Sequence, residues 1–153
     1  MKLVEILPEE LVVPDLRGTN KDAVLRELAG HLTRVHGEID RDRLVEVLWE
    51  RERLGSTALG DGIAIPHGKL PGLRNVLAVF GRHAEGVDFE SLDGKPSRIF
   101  FLLVAPDNSV GQHLKALARV SRLLKDESFR RQLVASDDRN ALYRSICAED
   151  DKH

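Results

Sequence analysis

Gly55-Ser56-Thr57-Ala58-Leu59-Gly60-Asp61-Gly62-Ile63-Ala64-Ile65-Pro66-His67-Gly68-Lys69 is the stretch whose reading decides the fold. A turn rich in glycine leads into a short apolar strand, Ile63 to Ile65. Proline fixes φ at about −65° and brings no backbone N–H, so the strand is expected to stop at Pro66. That leaves His67 at a strand end, a place where reactive groups often sit. Gly68 leaves space for another backbone or a phosphate to come close, and Lys69 adds a cation. A neutral imidazole, with an unperturbed pKa of about 6.5, is a good nucleophile at neutral pH. It accepts a phosphoryl group on one ring nitrogen while the other is held by a hydrogen bond.

The rest of the chain supplies a scaffold for that stretch. Val76–Phe80 and Ile99–Ala105 are continuous apolar runs of strand length, as expected for strands covered on both faces. Together with 63–65 they predict a central sheet with helices above and below, an α/β (α+β) three-layer sandwich with a mixed sheet. Leu11-Val12-Val13, between Pro8 and Pro14, reads as a short edge strand, and Val87-Asp88-Phe89 as another short one. Helical spacing of apolar residues predicts helices over about 20–36, 41–53 and 110–125. Thr19 or Asn20, Asp40, and Asn108 or Ser109 are their expected caps. Two shorter helices follow, capped by Asp126 and by Ser136 or Asp137. Residues 1–153 read as one domain, with an N-terminal segment over about 1–18 and a frayed tail over 149–153.

Composition narrows the function classes. Hydrophobic residues make up 42% and charged residues 31%, which suits a globular fold with a sizeable core. A net charge of −2 argues against a dedicated nucleic-acid binder. No run approaches the roughly 18 apolar residues of a membrane span, and no apolar leader opens the chain. The single cysteine, Cys147, cannot form an internal disulfide and reads as packing; a cytoplasmic setting is expected.

Other chemistries find less support. The six histidines show no helical HxxxH spacing, and His67 with His113 lacks an evident third ligand, so no metal and no cofactor is expected. A Gly-x-Ser-x-Gly elbow and a Gly-x-x-x-x-Gly-Lys loop are both absent. His31, His36 and His83 have no chemical neighbours in sequence and read as structural or solvated, His83 in a loop or at an edge. Arg51, in the last turn of its helix, suits either the helix C-terminal dipole or a guanidinium fork for phosphate. His113 heads the apolar stripe Ala116, Leu117, Val120, Leu124, so position alone allows a core histidine or a second imidazole beside His67.

The residues Arg51-Glu52, Gly55-Ser56-Thr57, Gly60 and Ile63-Ala64-Ile65-Pro66-His67-Gly68-Lys69 resemble the phosphorylation site of fructose/mannitol-type enzyme IIA domains of the sugar phosphotransferase system. Within that class the chain is most similar to the nitrogen-related regulatory branch. His113-Leu114-Lys115-Ala116-Leu117 resembles the segment with the family's second active-site histidine. The resemblance implies that His67 takes a phosphoryl group through Nε2 from an HPr-like phosphocarrier, with His113 supporting it. It also implies that Arg51, Ser56, Thr57 and Gly68 meet the phosphate. Two outcomes are implied next: phosphorylation-dependent binding of regulatory target proteins, or transfer to a IIB subunit for fructose- or mannitol-like uptake. No IIB, IIC or membrane segment accompanies the domain in this chain, which favours regulation. No nucleic acid and no direct membrane insertion are expected.

Overall fold

The computed structural model describes residues 1–153. Two 3-10 turns, Leu3–Glu5 and Glu9–Leu11, lead into β1 (Val12–Val13). Helices α1 (Lys21–Val35) and α2 (Arg41–Arg53) follow, then the short strands β2 (Ala58–Gly60), β3 (Ile63–Ala64) and β4 (His67–Leu70). The long strands β5 (Leu77–Val87) and β6 (Ser97–Pro106) come next, and α3 (Val110–Leu123), α4 (Glu127–Ala135) and α5 (Arg139–Asp150) complete the chain. No helix is long and apolar enough to cross a membrane.

The sheet is mixed, in the order β1-β5-β6-β3-β2, with β4 also paired to β6. The β5–β6 and β2–β3 pairs are antiparallel, and β1–β5, β3–β6 and β4–β6 are parallel. Helices cover both faces. Successive strand residues point to opposite sides. A side chain on Gly81 would meet Leu28 of α1, whereas neighbouring Arg82 donates to the Val134 carbonyl of α4. The architecture is therefore the expected α/β sandwich.

The apolar runs become the most buried strands: every residue from Phe100 to Ala105 is 0% exposed. Phe80 packs edge-on against Phe101, and Phe89 against Phe100, with ring centroids 5.2 and 5.3 Å apart. Such contacts add to the free energy of area burial. Asn20, Asp40 and Asp126 cap their helices by accepting first-turn N–H groups. Ser109 makes no side-chain cap bond to α3.

Four expectations are corrected by the structure. The strand that was to stop at Pro66 resumes at His67. β3 pairs Ile63 with Ile99, and β4 pairs His67 with Leu103, so one register spans the proline. Pro66 needs only its carbonyl there, which accepts from Leu103 N at 3.0 Å. His67 thus opens a strand rather than closing one. Asp88 and Phe89 are not strand residues; β5 runs on through His83 to Val87 and ends there. Asp138, not Ser136 or Asp137, caps α5, because its carboxylate reaches Ala141 N, while Ser136 Oγ accepts from Asp138 N. Glu149 and Asp150, expected in a frayed tail, are buried in the last turn of α5. The Asp150 carboxylate holds Leu3 N at 2.7 Å and Arg119 Nε at 2.6 Å, joining both chain ends to α3.

Candidate functional site: a histidine pair at the mouth between α2, α3 and β4

His67 projects from the start of β4, whose outer edge carries no further strand. The next residue, Gly68, packs against α2: a β-carbon there would lie 2.6 Å from Val47 Cγ1. Strand alternation therefore turns His67 to the other side, where α3 places His113. The two imidazole centroids are 5.3 Å apart with planes at 73°. A cavity of about 480 Å³ opens here, lined among others by Arg51, His67, Lys69 and His113. Its rim carries three apolar side chains held out in solvent, Leu54, Val110 and Leu114, exposed by 84%, 55% and 60%.

Hydrogen bonds settle the state of His67. Its Nδ1 lies 2.8 Å from the Ile65 carbonyl, which can only accept, so Nδ1 carries the proton. Arg51 Nε donates to His67 Nε2 at 3.2 Å, so Nε2 offers its lone pair. Arg51 Nη1 is held in turn by the Gly55 carbonyl at 2.8 Å. Burial lowers the His67 pKa; the Ile65 bond opposes this, the Arg51 charge assists it, and Glu52 opposes it. The ring is neutral at neutral pH.

His113 is 6% exposed, and burial, assisted by His67 and Lys69, brings its pKa down to about 4. Its Nε2 is buried with no hydrogen-bond partner. Buried polar atoms are seldom left so, and an unpaired one at a cavity wall is suited to a ligand atom.

Of the residues singled out from sequence, the structure brings together His67, His113, Arg51 and Gly68. Ser56 and Thr57 are corrected. The Ser56 hydroxyl donates to the Phe89 carbonyl at 2.5 Å and accepts from Ala58 N at 3.1 Å. Thr57 is 3% exposed, and its hydroxyl donates to the Glu52 carboxylate. Both hydroxyls are consumed in holding the loop, since buried polar groups require partners. Gly68 lines the cavity, yet Val47 already fills the space that a side chain would take. The site also includes features that sequence reasoning gave no role: the buried Glu52 carboxylate behind the loop, and the apolar rim. Glu52 stood in the motif, but nothing in sequence shows that its helix position is shielded.

A neutral imidazole with one nitrogen pinned and a lone pair at a cation-lined mouth is equipped for nucleophilic attack on an electron-poor centre. Residues 5–148 match the family model for the phosphoenolpyruvate-dependent sugar phosphotransferase system, EIIA 2. The chain belongs to that family. It is 43% identical over 143 residues to a nitrogen regulatory protein of Bradyrhizobium diazoefficiens, covering 94% of this chain and 93% of that one. It is 36% identical to the fructose-specific EIIABC component of Bacillus subtilis, a match spanning 93% of this chain but 22% of that protein. Its fold superposes on the crystal structure of the nitrogen regulatory protein IIA-Ntr from Neisseria meningitidis with a TM-score of 0.88 and 33% identity, covering 94% and 98% of the two chains. EIIA domains are phosphotransferase components, and this chain is one of that type.

Proposed function

We propose that this domain is a phosphoryl carrier that accepts a phosphoryl group on His67 Nε2 from an HPr-like phosphohistidine donor. One observation carries the reading: Nδ1 is tied to a carbonyl while Nε2 faces the mouth, met only by Arg51. The Nε2 lone pair forms a bond to phosphorus as the donor's N–P bond breaks, and the electron pair returns to the donor imidazole. Nδ1 keeps its proton, so the product ring is a phosphorylated imidazolium, its positive charge beside the negative phosphoryl oxygens. A phosphoryl group in flight carries charge on its equatorial oxygens, and positioned donors stabilise it. Arg51, once moved off Nε2, and His113 Nε2, in its protonated tautomer, are placed to donate. The exposed Leu54, Val110 and Leu114 fit a docking rim for a partner protein.

The downstream role is regulatory, through binding of target proteins that depends on the state of His67. This is supported by the 43% identity to a nitrogen regulatory protein over nearly the full length of both chains. The second reading, transfer to a IIB subunit in sugar uptake, is favoured by the 36% identity to a fructose-specific component. Incubation with a phosphorylated HPr-type donor should give one acid-labile, base-stable adduct that His67→Ala abolishes; a full adduct in that variant rejects the proposal. Adding a fructose-type IIB then separates the two roles, because a regulator retains the phosphoryl group and a transport component releases it.

A further inference from the structure

Behind the mouth lies a buried ion pair. Lys21 Nζ, at the start of α1, is 2.9 Å from Glu52 Oε1, at the end of α2, with side-chain exposures of 8% and 0%. Lys21 also lies 5.0 Å from the centre of the Phe89 ring, an additional favourable contact. Glu52 Oε1 accepts Thr57 N at 3.0 Å, and Oε2 accepts the Thr57 hydroxyl. The carboxylate thus fastens the loop from two atoms of one residue.

From Thr57 the hydrogen bonds run on to His67. The Thr57 carbonyl accepts Ile65 N at 3.0 Å, and the Ile65 carbonyl accepts His67 Nδ1. A second branch leaves the same loop. Gly55 N donates to the Glu52 carbonyl, and the Gly55 carbonyl holds Arg51, whose Nε meets His67 Nε2. Both contacts that decide the His67 tautomer therefore hang on the segment that Glu52 secures.

We propose that the Lys21–Glu52 pair is a positioning device for His67: it fixes the Gly55–Thr57 loop and thereby which imidazole nitrogen is free. The proposal rests on the reading of His67 as the phosphoacceptor. Stability alone is a poor account of the pair. Apolar replacement of a buried ion pair is often neutral or stabilising, whereas placement of attached groups is what such a pair can supply. A carboxylate with a fixed cation on one oxygen has a defined plane and offers its remaining lone pairs in set directions. Neither residue touches the cavity, so both act through others, as supports of an active group do.

Ring-nitrogen ¹⁵N shifts of unphosphorylated His67 test this, because they report which nitrogen is protonated. The native protein should show one protonated Nδ1 and one bare Nε2. The double variant Lys21→Met/Glu52→Gln leaves no buried charge unpaired and should fold. Its two His67 shifts should move toward each other, and transfer from the donor should slow by about tenfold or more. Thr57→Val should do the same while Thr57→Ser keeps the native pattern, and this pair decides if the double variant does not fold. Native shifts in the folded double variant, or in Thr57→Val, would overturn the proposal. The shifts are read without phosphate, so a native protein that accepts no phosphoryl group would sink the carrier reading and leave this test intact.

Discussion

Two histidines on the same sheet, His67 and His83, are both locked in one neutral tautomer, with opposite consequences. His83, 7% exposed inside β5, donates from Nε2 to the Gly18 carbonyl at 2.8 Å and accepts Gly86 N on Nδ1 at 2.9 Å. Both nitrogens are spent on backbone, one joining the turn before α1 and the other holding the bulge of β5. His67 spends Nδ1 on backbone in the same way but meets a side chain, Arg51, with Nε2. A histidine becomes available for chemistry when its second nitrogen faces a side chain and a cavity rather than the main chain. Burial alone does not spend a nitrogen: His67 is half-buried and His83 buried, but His113 is as buried as His83 and yet has an orphaned nitrogen.

Substitution at each ring breaks the comparison most sharply. His67→Ala should take up no phosphoryl group and retain its fold, as read by adduct formation and thermal melting. His83→Ala should do the reverse. It strands a carbonyl and an N–H, so a loss of about 2–4 kcal/mol in denaturant unfolding is expected with uptake retained. His113→Ala should still fold and accept phosphate, but rapid-quench transfer should slow by about 10²–10³ or less, the usual effect of one lost active-site donor. An unchanged rate would class His113 with His83.

Acid sharpens the comparison further. With a folded pKa of about 4, His113 takes up its proton in the unfolded chain first. Between about pH 6.5 and about pH 4 the unfolded state binds more protons, so stability is full above that window and falls as pH drops through it. The lowered His67 pKa acts in the same direction. A loss of roughly 3 kcal/mol is expected across the window, and His113→Leu should flatten it; urea titrations at several pH values measure this. The smallest effect concerns Gly68. Gly68→Ala should cost about 1–3 kcal/mol by forcing Val47 aside, and Val47→Ala should recover part of it. If Gly68→Ala instead leaves stability intact and slows transfer alone, Gly68 belongs with the chemistry rather than the packing.

Much of the scaffold is legible along the chain because its causes are local. Asn20 and Asp40 precede apolar residues at helical spacing, and they cap α1 and α2. The runs around Phe80 and Phe101 have no polar alternation, and they lie between two helical layers. Pro66 misled because its effect depends on the neighbour: just before β4 its missing N–H costs nothing, since β6 needs only the carbonyl. Asp150 misled likewise, as four charged residues at a chain end look solvated until Arg119 and Leu3 N are brought to them.

The site divides along the same line. Sequence by itself determined the sandwich, the family, and the two histidines with Arg51 as residues of interest, because these rest on local order and a contiguous motif. Only the tertiary structure decided that Ser56 and Thr57 serve the loop, that Gly68 serves the helix packing, and that Lys21 pairs with Glu52. Those outcomes depend on which partner residues meet across the fold, and hydroxyls, carboxylates and ammonium groups commit to a role only when a partner comes within hydrogen-bond distance.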